Sequence, residues 1–154
     1  MPEKKTIAKA RRAARKGKAP STQAGEFVGE EIHHIREGKH GARSAKQAIA
    51  IGLSKARRAR VNLRPPRKGK VGEKTRREAE RAYKRGQKGK TSPRRSQARR
   101  SALKRERRDA ASRRALSKQA RSAARRRTQA DRSSAARKAS RTRARRKGSA
   151  RGES

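Results

Sequence analysis

Residues 25–57 read GEFVGEEIHHIREGKHGARSAKQAIAIGLSKAR and carry seven of the large apolar side chains of the chain. In the first half of this stretch, Val28, Ile32 and Ile35 recur at intervals of four and three residues. This spacing places them on one face of a helix. Ser21 or Thr22, which follow Pro20, are candidates for the residue that caps the helix start.

The second half predicts another helix. Ser44 followed three residues later by Gln47 is typical of a capping box. Small and apolar residues then form a stripe at helical spacing: Ala45, Ile49, Gly52, Leu53 and Ala56. Gly38 and Gly41 indicate a turn between the two helices, and Pro65-Pro66 ends any continuation.

The sequence therefore predicts a mostly α-helical protein with a small helical hairpin over roughly residues 22–60. Its predicted core consists of Phe27, Val28, Ile32, Ile35, Ile49 and Leu53. We expect three segments: a basic N-terminal arm (1–18), the hairpin (19–66) and a basic tail rich in Arg, Ala and Ser (67–154). Within the tail, Glu73–Arg77, Glu80–Lys84 and Asp109–Arg113 are spaced for ion pairs on a helix.

Charge is the dominant feature of the composition. The 154 residues include 52 Lys and Arg against 12 Asp and Glu, for a formal net charge of +40, and only 28% are hydrophobic. High charge with few apolar residues leaves the entropy cost of folding largely unopposed. We therefore expect extensive disorder, with arms that are helical only intermittently.

Such a charge requires a polyanionic partner, and DNA carries about one charge per 1.7 Å of its axis. Residues 56–154, which include the tail, have a net charge of +32 and repeat Ala-Arg-Arg. Arginine suits phosphate oxygens because its guanidinium presents a fork of donors. The predicted phosphate contacts are Arg57, Arg58, Arg60, Arg94, Arg95, Arg99, Arg100, Arg113, Arg114, Arg125, Arg126, Arg127, Arg145 and Arg146.

Other chemistry finds little support in the residues. There is no cysteine, and aromatic residues make up 1% of the chain, which disfavours base-stacking platforms. A closed zinc site needs four converging ligands. His33, His34, Glu37 and His40 do not supply one, because the consecutive His33 and His34 point about 100° apart on a helix. No metal or other cofactor is therefore predicted. No catalytic constellation is evident, so we expect a protein that is not an enzyme.

The membrane is the weakest candidate partner, because the longest apolar run is Ala48–Ile51. No apolar segment follows the basic N-terminus, so a secretory signal is not expected. The predicted location is the cytoplasm, wherever the nucleic acid lies.

Residues 20–66 resemble a family of small, basic, uncharacterised bacterial and phage proteins. The likeness lies in the histidine-rich end of the first helix, the Lys39-His40-Gly41 turn and the KQAIAIGLSKAR helix at 46–57. The resemblance implies a bacterial or phage origin and no particular activity. Residues 70–154 separately resemble, in composition, the tails of bacterial histone H1-like proteins.

Three functions remain open from the sequence. The first is a histone H1-like, nucleoid-associated protein that binds duplex DNA without sequence preference by neutralising phosphates. The second is an RNA-binding, ribosome-associated protein, since ribosomal extensions have the same composition. The third is a protein-interaction hairpin for which the charge is secondary. Because the hairpin offers too few apolar residues to fold alone, either a homodimer through the hairpin or folding on the partner is expected.

Overall fold

The computed structural model describes residues 2–88 and 92–151, and within this part it contains helices and no β-strand. By contacts it divides into two units, residues 1–116 and residues 117–154. A 3-10 turn, Asp109–Ala111, lies just before the helix that begins at Arg113. The α-helices are α1 (Lys4–Arg15), α2 (Pro20–Arg36), α3 (Ala45–Arg58), α4 (Glu73–Lys88), α5 (Pro93–Lys104), α6 (Arg113–Arg125) and α7 (Gln129–Arg151).

The two helices predicted from residues 25–57 are present as α2 and α3, and they pack against each other. They approach closely at Gly52, where a Cβ atom would stand 2.6 Å from the Cα of Val28 and 3.0 Å from the carbonyl oxygen of Phe27. Such a distance leaves no room for a side chain. Glycine at this position therefore allows the two backbones to pack in contact.

The start of α3 is confirmed and that of α2 is corrected. The Ser44 hydroxyl accepts a hydrogen bond from the Gln47 N–H at 3.2 Å, and the Gln47 side chain accepts one from the Arg43 N–H at 2.6 Å. By contrast α2 begins at Pro20, with Ala19 before it and no side-chain cap. Proline suits the first helical position because its φ is already helical and it has no N–H to satisfy.

The predicted core residues are buried to different extents. Phe27 and Ile35 are fully buried, whereas Val28, Ile32, Ile49 and Leu53 are half-buried. Phe27 and Leu53 belong to a cluster that also contains Ala10, Ala24, Ala56 and Val61. Ile35 and Ile32 belong to a second cluster, with Ala42, Ala48, Ala110 and Ala111.

The prediction of extensive disorder is wrong for the part of the chain that the structure describes, because that part is largely helical. The physical reason lies in alanine. Of the eleven buried hydrophobic residues within the described ranges, eight are alanine. Small side chains let helices approach closely, so much of the interior is built from residues that a count of large apolar side chains overlooks.

Segments outside the predicted hairpin cover its apolar surface. Helix α1 packs on α2 with Thr6 and Ala10 buried. Helix α4 packs on α3, and a Cβ at Gly86 would collide with the backbone of Arg57. A homodimer through the hairpin stays a prediction, but this coverage removes the reason for it.

The turn between α2 and α3 is held by residues 103–111. The N–H groups of Gly41 and Ala42 donate to the carbonyl oxygens of Leu103 and Arg107, both at 2.8 Å. The Arg36 guanidinium donates from Nε to the Ala111 carbonyl at 3.0 Å. Part of the basic tail is thus integral to the first unit.

Candidate nucleic-acid interface

Basic side chains outnumber acidic ones most strongly from α5 to the end of α7. Residues 92–151 contain 24 Lys and Arg against 3 Asp and Glu. Even if every carboxylate were paired, most of these cations would lack a partner within this part of the chain. In α7 the side chains described, at 129–145, are exposed apart from the half-buried Asp131.

Most of the predicted phosphate contacts are available to a partner. The exposed ones are Arg60, Arg94, Arg99, Arg100, Arg113, Arg114, Arg125, Arg126, Arg127 and Arg145. The side chains of Arg95 and Arg146 lie outside those that the structure describes. Among the exposed set, Arg126 follows the end of α6 and donates to the Ser122 hydroxyl at 2.7 Å. Because the hydroxyl is uncharged, this hydrogen bond does not neutralise the guanidinium.

Arg57 occupies a different environment from the other predicted contacts. It is 6% exposed, and its Nε donates to the Leu63 carbonyl at 3.1 Å. Burial lowers the pKa of its guanidinium. The structure therefore places Arg57 in the interior, where its hydrogen bond holds the segment that follows α3 against the helix. A phosphate group cannot reach it there.

Two of the predicted phosphate contacts, Arg58 on α3 and Arg99 on α5, lie near each other. Arg58 is half-buried and donates from Nε to the Ser54 carbonyl at 3.4 Å. Burial lowers the pKa of Arg58, and the positive charge of Arg99 lowers it further. An anion at this place would relieve the repulsion between the two guanidinium groups.

Helix α4 is basic, and its Arg76, Arg77 and Lys84 are paired with carboxylates of the same helix. Two of the three predicted ion pairs are confirmed, with Arg77 at 3.3 Å and Lys84 at 2.9 Å from the carboxylates of Glu73 and Glu80. The third prediction, Asp109–Arg113, is wrong, because the Asp109 carboxylate lies 3.6 Å from Arg107 instead. Arg76 also contacts Glu73, at 2.8 Å. Its hydrogen bonds are the main cause that lowers the pKa of Glu73 to about 2. Ion pairing within the helix therefore makes α4 a weaker candidate surface than α5, α6 or α7 taken singly.

The histidines separate into two environments. His33 is exposed and lies 2.8 Å from a Glu37 carboxylate oxygen on the next turn. His34 and His40 instead meet the buried Glu31, and one potential ligand atom from each of these three residues lies within 4.8 Å of the others. These three are the residues of the described chain that could hold a metal ion.

Sequence reasoning missed Glu31, although a signal was present. Phe27, Glu31 and Ile35 follow at intervals of four residues, so the carboxylate lies in the middle of the apolar face of α2. All three side chains are fully buried. A charged residue on the buried face of a helix requires a partner, and its identity could not be read from spacing alone.

In the part of the chain that the structure describes, no helix has the length and apolar character needed to cross a membrane. Comparison of the chain with protein-family models, with curated proteins and with solved structures finds no match in any of the three.

Proposed function

We propose that this chain binds nucleic acid, with duplex DNA as the first candidate, by neutralising phosphates without reading base sequence. The observation that carries the proposal is the excess of exposed arginine on α5, α6 and α7, with 24 basic against 3 acidic residues over 92–151. Contacts of this kind position a protein on the phosphate backbone and carry no sequence information.

The arrangement of cations along α7 supports the proposal. Arg137, Arg141 and Arg145 follow at intervals of four residues and are all exposed. Like charges at this spacing destabilise a helix. Phosphate groups beside such a row would replace repulsion with attraction, so the helix gains stability from the partner that it binds.

Under this proposal the protein is a binding protein rather than an enzyme, and it acts at the bacterial nucleoid. Its basic tail binds DNA as the tail of a histone H1-like protein does. The unit formed by residues 1–116 orders the chain through its alanine-rich interior. The exposed arginines supply the affinity.

Sedimentation of the protein from its native extract, with and without nuclease, tests the proposal. Co-sedimentation that DNase abolishes and RNase leaves intact is the expected result. Sensitivity to RNase, or sedimentation with ribosomes, would transfer the function to RNA. Resistance to both nucleases would contradict nucleic-acid binding and favour a protein partner.

A further inference from the structure

We propose that Glu31, His34 and His40 form a binding site for one divalent transition-metal ion of the zinc class, which fastens the turn after α2 to the body of the first unit. The site does not involve the exposed arginines of α5, α6 and α7, which we call the arginine surface. It rests on the contacts of a buried carboxylate and two histidines.

Glu31 is the first observation. Its side chain is fully buried, and neither carboxylate oxygen accepts a hydrogen bond. The Lys55 ammonium lies 2.6 Å from Oε2, outside hydrogen-bond alignment, and instead donates to Oε1 of Glu30 at 3.2 Å. Because a buried carboxylate without hydrogen bonds is costly, Glu31 Oε1 is suited to a further cationic partner.

The neighbouring Glu30 provides the contrast. Its carboxylate accepts hydrogen bonds from the Glu3 N–H at 3.1 Å and from Lys55, and the Thr6 side chain also bonds to it. Glu30 is thus supplied with partners by α1, α3 and the residue before α1. Glu31, one position along the same helix, is left with open lone pairs.

His40 is the second observation. Its Nδ1 lies 3.0 Å from the Gly41 carbonyl oxygen, which can only accept, so Nδ1 carries the proton. With the proton on Nδ1, it is Nε2 that faces the carboxylate and could bind an ion, and this atom lies 3.4 Å from Glu31 Oε1. A backbone carbonyl that fixes the far nitrogen of a histidine is a usual feature of metal-binding imidazoles.

The distance between the two atoms fits a metal ion. Bonds of about 2.0–2.1 Å to a tetrahedral ion place neighbouring ligand atoms about 3.3–3.4 Å apart. The Glu31 Oε1 to His40 Nε2 distance of 3.4 Å matches such an edge. The Lys55 ammonium lies against the other oxygen, Oε2, so it leaves Oε1 available to the ion.

His34 completes the set from α2, three residues after Glu31. Its Nε2 lies 2.7 Å from Oε1 of Glu3, a carboxylate of the kind that orients metal-bound histidines. Two imidazoles and a carboxylate suit Zn²⁺ and related divalent ions and disfavour Mg²⁺ and Ca²⁺, which prefer oxygen ligands alone. A water molecule would fill the fourth coordination position of the ion, because His34 and His40 each retain 12% exposure to solvent.

The overall charge of the chain does not prevent this binding. Glu3, Glu30 and Glu31 gather around the site, against Lys39, Lys55 and the half-buried Arg58, whose charge interacts with that of Glu31. The remote arginines are screened beyond about 8 Å at physiological ionic strength.

The test uses the untagged full chain, freed of nucleic acid and treated with chelator, and titrates it with Co²⁺ and then Zn²⁺. We expect one ion per chain, visible absorption bands of four-coordinate Co²⁺, and a melting temperature that Zn²⁺ raises. His40→Gln and Glu31→Gln should each weaken binding by at least about tenfold. His33→Gln, which changes the exposed neighbour, should bind as the unaltered chain does.

X-ray absorption of the Zn²⁺-loaded unaltered chain provides a measurement that does not depend on any variant folding. It should show two imidazole ligands with oxygen donors. Absence of the Co²⁺ bands, no effect of Zn²⁺ on melting, or an equal loss of binding in His33→Gln would each overturn the proposal.

Discussion

The guanidinium of Arg57 donates a hydrogen bond from Nε to the carbonyl oxygen of Leu63, 3.1 Å away, from a position that is 6% exposed. The same tripeptide, Ala-Arg-Arg, recurs at residues 98–100 with exposed arginines. Arg57 therefore stabilises the fold, whereas its counterpart Arg99 is available to a partner.

Replacing Arg57 with methionine should lower the free energy of unfolding by about 1–3 kcal/mol, because the Leu63 carbonyl loses its donor in a half-buried environment. Urea denaturation followed by circular dichroism measures the change. The matched control is Arg94→Met on the exposed face of α5, which should alter stability by less than about 0.5 kcal/mol. Equal effects of the two substitutions would contradict the structural assignment of Arg57.

Two glycine substitutions test the contact between α2 and α3. Gly52→Ala should destabilise the protein by about 1–3 kcal/mol, because the new Cβ meets the Val28 Cα at 2.6 Å and the helices must separate. Gly29→Ala lies on the exposed side of α2 with nothing within 4 Å of the new Cβ. It should stabilise by about 0.4–1 kcal/mol. Thermal melts of both variants check the pair, and a neutral Gly52→Ala would show that the helices do not pack at this point.

Stability in acid should depend on Glu30. Burial raises the pKa of its carboxyl, but the bonds from Thr6, the Glu3 N–H and Lys55 outweigh this and lower it below 4.5. A lowered pKa in the folded state means that the stabilisation is present above the ordinary value and is lost as the pH falls through the folded value. The melting temperature should therefore drop as the pH falls from about 5 towards 3.

Glu30→Gln should flatten this acid dependence, and Glu73→Gln provides the control. The pKa of Glu73 is also lowered, mainly by its hydrogen bond to Arg76, but its carboxylate is exposed and its ion pairs are screened by solvent. If Glu73→Gln flattens the melting profile as much as Glu30→Gln, the interior network is not the source of the acid sensitivity.

The hairpin could be predicted from the sequence because its signals are local. Val28, Ile32 and Ile35 share a helix face, and Ser44 caps its helix through hydrogen bonds to nearby residues. The covering of the hairpin by α1, α4 and residues 109–111 could not be predicted in this way. Those contacts involve alanine and glycine. In the sequence, an alanine or glycine of a buried segment cannot be distinguished from one in the exposed low-complexity tail.

The same limit applies to the candidate sites. The excess of arginine is a property of composition, which the sequence shows directly, but the burial of Arg57 depends on the turn that brings Leu63 back to α3. Likewise the sequence groups His34 and His40 with Glu37, whereas the fold joins them to Glu31. Burial and long-range contact decide both cases, and neither has a fixed sequence spacing.

The cluster Arg125, Arg126 and Arg127 offers a direct test of the arginine surface. All three are exposed. Changing them together to glutamine should reduce the number of released counterions by up to three, so the slope of log affinity against log salt becomes shallower by about 2–3. The corresponding triple change to lysine keeps the charge and should leave the slope unchanged. A slope that is the same in all three proteins would show that this segment makes no phosphate contact.

The salt dependence of binding to a short DNA duplex tests the central proposal most directly. If one chain neutralises about eight phosphates, log affinity should fall against log salt concentration with a slope of about −7, and duplexes of unrelated sequence should give the same slope and similar affinity. Fluorescence anisotropy across about 50–200 mM salt measures it. A slope shallower than about −2 would contradict binding by phosphate neutralisation.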